Sequence, residues 1–265
     1  MNLPEAAFET ILLTQDAGVA TITINTPPAN TLSAKTMGEL SRAFDAIEGD
    51  EGVRAVVVTG AGPSVFAGGA DVNEFTRIAT EDEARTKMRA GAGLFRRIEL
   101  FAKPVIAAVN GVCAGGGCEL ALACDIRVMA ESARIGQPEI TLGIMPAWGG
   151  TQRLPQLVGR ANALLLMMSG EMIGAVEAAR IGLVNLIVAD GQALSKATEL
   201  AGVFARQAPL ALGAIKRAVA AGLDGGYSAG IEREQDEMAA LFAGADAREG
   251  IAAYLGKRPP EFRGE

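Results

Sequence analysis

The sequence predicts an α/β protein with one sizeable core and a helical region at its C-terminal end. Three observations carry this. A chain of 265 residues that is 49% apolar and only 5% aromatic can bury one large core with an appendage, or two modest domains, and the first arrangement fits better. Residues 104–124 read as a buried strand, a glycine-rich turn and a helix, and residues 53–75 repeat that order. Beyond Gln192 no strand-like run appears, which divides the chain into an α/β core at 1–191 and a helical region at 192–265.

In chain order, residues 8–13 and 19–24 alternate around Asp16-Ala17-Gly18 and predict a hairpin. Thr26-Pro-Pro-Ala-Asn-Thr-Leu-Ser33 is a loop whose last residue can cap a helix to about Ile47, with Met37, Leu40, Phe44 and Ile47 on one face. A buried strand at 53–59 leads through Gly60-Ala-Gly-Pro-Ser-Val into Phe66-Ala-Gly-Gly-Ala-Asp71 and a helix with Val72 and Phe75. Residues 81–101 form an amphipathic helix with Met88, Ala92, Phe95 and Ile98 inward. The strand at 104–109 is apolar throughout, as expected of one covered on both faces, and Asn110-Gly111 ends it. Gly115, Gly116 and Gly117 then open a helix at 118–124, and 126–129 is a further strand. Residues 133–154 are non-periodic and rich in Gly and Pro, the kind of long loop that carries function. Helices follow at 154–169 and 176–181, a last strand at 184–188, and helices at 193–206, 209–223, 228–242 and 246–255.

Composition excludes several function classes. Twenty-four basic against 31 acidic residues give a net charge of -7 with no long run of either sign, which argues against the basic face that nucleic acid needs. No apolar run reaches membrane-spanning length, and Met1-Asn-Leu-Pro-Glu5 has neither a basic nor an apolar leader region; a cytoplasmic protein is expected. Cys113, Cys118 and Cys124 are an odd set inside the apolar stretch, which suits buried free thiols. Their spacing fits no zinc or iron–sulfur pattern and the chain has no histidine, so no metal site is expected. The missing histidine also removes Ser-His and Cys-His nucleophilic catalysis. Gly226-Tyr-Ser228-Ala-Gly230 spells a nucleophile elbow, but no strand precedes it and Ser228 has no base. Nucleotide-binding glycine patterns fail at Val65, Leu120 and Gly117.

Two carboxylates and two glycine turns remain. Glu119 lies in the first turn of its helix, beside amides that favour negative charge. It is either a dipole-matched helix residue or a catalytic acid/base. Ala67-Gly68-Gly69-Ala70 and Ala114-Gly115-Gly116-Gly117 are either two tight turns without a ligand or two amides presented to one oxygen, since an oxyanion hole needs two convergent donors. Glu139 is the second carboxylate, in the long loop.

Taken together, Phe66-Ala-Gly-Gly-Ala-Asp71, Asn110-Gly-Val-Cys-Ala-Gly-Gly-Gly-Cys-Glu119 and Gly136-Gln-Pro-Glu139 through Gly149-Gly-Thr-Gln-Arg153-Leu strongly resemble the crotonase superfamily, and within it the enoyl-CoA hydratases. Ile181-Gly-Leu-Val-Asn185 and Lys257-Arg-Pro-Pro-Glu-Phe-Arg-Gly264 match as well, so the resemblance covers essentially the whole chain. It implies a spiral of strand-strand-helix repeats, with C-terminal helices that build trimers and two trimers that form a hexamer. It implies an acyl-CoA substrate, coenzyme A being part of that substrate and no separate cofactor being needed. The amides of Ala70 and Gly116 would hold the thioester oxygen, while Gly68, Ala70, Asp71 and Val72 would line the coenzyme A. Glu119 and Glu139 match the family's two glutamates, which hold a water and add it across the Cα–Cβ double bond. We assign Glu119 as the water activator and Glu139 as the proton donor to Cα. A Δ3-Δ2 enoyl-CoA isomerase is the alternative; it needs one carboxylate, and the presence of both favours hydration. The sequence departs from the family at Pro27 and Pro28, where many members carry a basic residue near the phosphates, and at Trp148, where small residues are usual. Trp148 either fills core or reshapes the acyl pocket.

Overall fold

The computed structural model describes residues 8–265, and the Met1 to Glu5 stretch read above for a leader lies outside them. Ala17 and Gly18 both take positive φ, 45° and 82°, the geometry of a two-residue hairpin turn. Strands β1 (Ile11–Asp16) and β2 (Val19–Ile24) therefore pair antiparallel, with Asp16 opposite Val19. The Ser33 hydroxyl accepts from the Thr36 amide at 3.2 Å and caps α1 (Ala34–Glu48), whose Leu40, Phe44 and Ile47 are fully buried.

Three strand-strand-helix repeats follow. The first holds β3 (Ala55–Gly60) and β4 (Val65–Ala67), then α2 (Val72–Phe75) and α3 (Glu81–Glu99), which opens on a Thr80–Glu83 capping box. The second holds β5 (Val105–Val109), β6 (Val112–Ala114) and α4 (Gly116–Ala123). The third holds β7 (Ile126–Ala130), β8 (Arg134–Gly136), a 3-10 turn (Pro138–Leu142) and α5 (Gly150–Ser169). Each repeat sends its first strand to one sheet and its second to another. Among the described residues the larger sheet has the order β1-β2-β3-β5-β7-β10 and the smaller β4-β6-β8-β9, with β3, β5 and β7 parallel in one and β4, β6 and β8 parallel in the other. The remaining members are β9 (Met172–Gly174), α6 (Ala175–Arg180) and β10 (Leu186–Val188).

The chain then runs through α7 (Ala193–Ala205), α8 (Pro209–Gly225), α9 (Tyr227–Ala243) and α10 (Ala245–Leu255). The change to helix at 192 coincides with the start of α7, yet α7 packs across β3 and β5 and buries Ala193, Ala197 and Ala201 in the main core. The helices that leave the sheet are α8, α9 and α10. Lys216 ties α8 to the core, donating to Asp125 at 2.7 Å and to the Lys103 carbonyl at 3.3 Å. Cys113, Cys118 and Cys124 are free and buried, and burial pushes all three thiols up. Among the described residues no helix is long and apolar enough to cross a membrane, and no group of three metal-ligating side chains converges.

Candidate active site

The two glycine turns meet. Asn30, buried in the loop before α1, donates to the carbonyls of Ala61 and Val65 at 3.0 and 2.8 Å. Gly68 donates to Ala29 at 2.9 Å and Leu32 to Gly69 at 2.8 Å, so that loop supports the turn after β4. On the other side Gly115 adopts φ 53°, ψ -124° and donates to Gly136 at 3.0 Å. Of the three glycines there, Gly115 alone takes positive φ; the other two provide room. A Cβ at Gly116 would stand 2.5 Å from Cζ3 of Trp148 and 3.3 Å from the Ala70 nitrogen. The amides of Ala70 and Gly116 thus lie side by side, and neither donates to an acceptor among the described residues. Helix α4 begins at Gly116, two residues before the sequence-predicted start, which puts that amide at the electropositive helix end.

Glu119 is 2% exposed, and its Oε1 accepts from the amides of Trp148 at 2.7 Å and Gly150 at 2.8 Å. Burial raises its carboxyl pKa, while those two amides and the charge of Arg153 oppose the shift. Glu139, half-buried on the 3-10 turn, lies over the second glycine turn: its Oε1 is 3.1 Å from the place of a Cβ at Gly115. Burial drives its carboxyl up to about 7, with its own backbone amide opposing and the Glu119 charge adding to the rise. Gln137 is fully buried, and with its amide nitrogen turned to the carboxylate it donates to both Glu139 oxygens, at 3.0 and 3.2 Å.

A cavity of about 190 Å³ gathers these groups. Gly68, Ala70, Val72, Gly116, Glu119, Glu139 and Trp148 all line it. Asp71 does not; its carboxylate accepts from the Asn73 amide at 3.0 Å and caps α2. Trp148 is 4% exposed and packs edge-to-face on Phe95 with centroids 5.5 Å apart, so it is both core and cavity wall. Sequence reasoning missed Gln137, whose signal is a polar residue between Gly136 and Pro138, and the apolar wall of Phe75, Met88, Leu142, Ile144 and Met145. Two free donors side by side can hold a developing oxyanion, and two carboxylates nearby can accept and deliver protons.

Residues 14–265 match the family model described as enoyl-CoA hydratase/isomerase. A probable enoyl-CoA hydratase of Bacillus subtilis is 43% identical over 96% of this chain and 99% of its own length. A short-chain-enoyl-CoA hydratase of Clostridium acetobutylicum is 41% identical over 95% of this chain and 96% of its own. The crystal structure of an enoyl-CoA hydratase from Bacillus anthracis superposes with a TM-score of 0.92 at 36% identity, covering 97% of this chain and all of that one.

Proposed function

The chain belongs to the enoyl-CoA hydratase/isomerase family of the crotonase superfamily, and on that premise we propose that it adds water across the Cα–Cβ double bond of a 2-enoyl-CoA thioester. The observation that carries this is the pair of free amides and the pair of carboxylates, one buried and one half-buried, lining one cavity. As a water oxygen attacks Cβ, electrons shift through Cα to the thioester oxygen. That oxygen accepts from the amides of Ala70 and Gly116, and loss of one such donor costs roughly 3 kcal/mol.

Glu119 takes the proton of the attacking water and Glu139 gives a proton to Cα. The environments bear on this split. Burial raises the Glu119 carboxyl, but two amides and Arg153 oppose that rise, whereas Glu139, pushed up to about 7 chiefly by burial, keeps a proton to give at neutral pH. Addition of water leaves the oxidation level of the acyl group plus water unchanged, so the coenzyme A of the substrate is the only cofactor moiety the reaction requires. Gly68, Ala70 and Val72 border the mouth along which it would lie, with Asp71 holding α2 in place.

Assembly into trimers, and of two trimers into a hexamer, belongs to the same proposal. Tyr227 and Tyr254 on the C-terminal helices are each 84% exposed, beside Ile215, Val219, Leu223, Phe242 and Leu255. So much apolar surface is more than a lone monomer ordinarily shows.

The test is loss of the conjugated absorbance of 2-butenoyl-CoA. Glu119→Gln and Glu139→Gln should each lower kcat by about 10²-fold or more with little change in KM. Full hydration by either variant would overturn the two-carboxylate mechanism. An isomerase would instead prefer the 3-enoyl thioester and lose activity with one of the two variants alone.

A further inference from the structure

The indole of Trp148 stands between two cavities. It lines the site's cavity of about 190 Å³, and it also lines a crevice of about 500 Å³ between α1 and α3. The crevice has a mixed lining: Leu32, Met37 and Leu94 are apolar, while Ser41, Glu74, Lys87 and Arg97 are polar or charged.

The wall is fixed. Its benzene ring lies against Gly116 and its pyrrole ring against Gly91, where a Cβ would overlap the indole nitrogen. Phe95 meets it edge-on. The backbone of Trp148 is held at both ends, its amide by Glu119 and its carbonyl by Arg153 at 2.9 Å. In the hydration reading the amide of Gly116 holds the thioester oxygen, which would put the indole within a residue's width of the reacting carbons. An acyl chain that continues beyond Cβ on this side meets it at once.

We propose that Trp148 is the chain-length gate of the site: its indole closes the acyl pocket against the crevice between α1 and α3, and the protein takes short 2-enoyl thioesters. The crevice is the blocked continuation of the pocket, where Leu32, Met37 and Leu94 would meet a longer aliphatic tail. This rests on the hydration reading above. The other exit for a tail is the open side of the cavity at Leu142, Ile144 and Met145.

Hydration of four-, eight- and ten-carbon 2-enoyl-CoA thioesters by the full chain and by Trp148→Ala and Trp148→Phe tests the gate. The wild-type kcat/KM should fall by about 10²-fold or more from four to ten carbons, the scale of discrimination a misfitting hydrocarbon gives. Trp148→Ala should raise the ten-carbon value by at least about tenfold while lowering the four-carbon one, since each newly buried methylene is worth about fourfold. Trp148→Phe keeps a ring in the gap and should keep the wild-type order. An unchanged order in a folded Trp148→Ala overturns the gate and sends the tail out past Met145. If Trp148→Ala does not fold, the wild-type profile decides, and equal rates at four and ten carbons overturn the proposal. No turnover of any thioester would sink the hydration reading and the gate with it, whereas turnover with a flat chain-length profile sinks the gate alone.

Discussion

Arg153 donates through Nη1 to the carbonyl oxygen of Trp148 at 2.9 Å, and the amide of that same Trp148 donates to Oε1 of Glu119 at 2.7 Å. The guanidinium is therefore one residue removed from a carboxylate assigned to catalysis. Arg153 is itself buried and paired, its Nε and Nη2 reaching Glu99 at 3.0 and 2.9 Å. Arg96 extends the network from Glu99 to Asp224 on α8. Gly149 lies between, at φ 111°, where a Cβ would overlap the guanidinium. The first turn of α5, the end of α3 and the orientation of Glu119 are thus set together.

Replacing Arg153 by Met should lower kcat for 2-butenoyl-CoA by about tenfold or more with KM little changed, because a small displacement of a positioned group is costly in rate. Arg153→Lys should recover only part, since an ammonium cannot span Trp148 and Glu99 as a planar fork does. The acid limb of the kcat profile should also move to higher pH in Arg153→Met, because burial raises the Glu119 carboxyl and the Arg153 charge offsets part of that rise. A variant that keeps both the wild-type rate and the wild-type acid limb would show that the loop positions Glu119 without the clamp.

The basic limb of the rate profile should lie near pH 7. In the proposed mechanism Glu139 must be protonated to give a proton, and its carboxyl is raised to about 7, so activity should fall as pH climbs through that value. Glu119 must be ionised to accept one, so activity also falls toward acid, and the two limbs belong to the coupled pair. Stability follows the same sign. The folded state binds the Glu139 proton more tightly than the unfolded chain, whose carboxyl titrates near 4.5. The resulting stabilisation is complete below that value and is lost as pH rises through 7. Melting temperature should therefore drop from pH 5 to pH 8 less in Glu139→Gln than in the wild type; equal drops would place the Glu139 carboxyl in its ordinary range.

The parts of this site that were legible in the sequence are those carried by local chemistry. A glycine turn before Glu119 announces a helix start, and Ser33 announces a cap; both are found. Strands β4, β6, β8 and β9 have three residues each, too few for an alternating pattern, so one strand per repeat and the whole smaller sheet were invisible to periodicity. Gly149 and Gly150 read as loop, which hid the first turn of α5. The partner of Arg153 is 54 positions away at Glu99, and nothing local marks a buried ion pair. Asp71 sits in a motif shared with cavity-lining residues, yet its short side chain accepts from a local amide, that of Asn73.

In solution the full chain should scatter light as a trimer or a pair of trimers. The helices α8, α9 and α10 carry the exposed tyrosines and aliphatic residues named above, and α9 buries none of its residues within its own chain. A charge on that surface, Tyr254→Lys, should shift the distribution toward smaller species if the face is an interface. A dilute sample of mass near 27.3 kDa would refute the assembly.

Gly91 gives the sharpest test of how rigidly Trp148 is held. In the middle of α3, alanine would ordinarily be favoured over glycine by about 1 kcal/mol. Here a methyl group at position 91 overlaps the pyrrole ring, and an indole pinned by Gly116 and Phe95 has little room to retreat. Gly91→Ala should therefore destabilise the wild type by about 1–3 kcal/mol, the usual cost of overpacking. In a Trp148→Ala background the same change should turn neutral or stabilising, because the overlapping ring is gone and the helix preference remains. Denaturant midpoints of the four proteins give the coupling directly. If Gly91→Ala stabilises both backgrounds equally, the indole moves aside freely, and a mobile ring is not a wall.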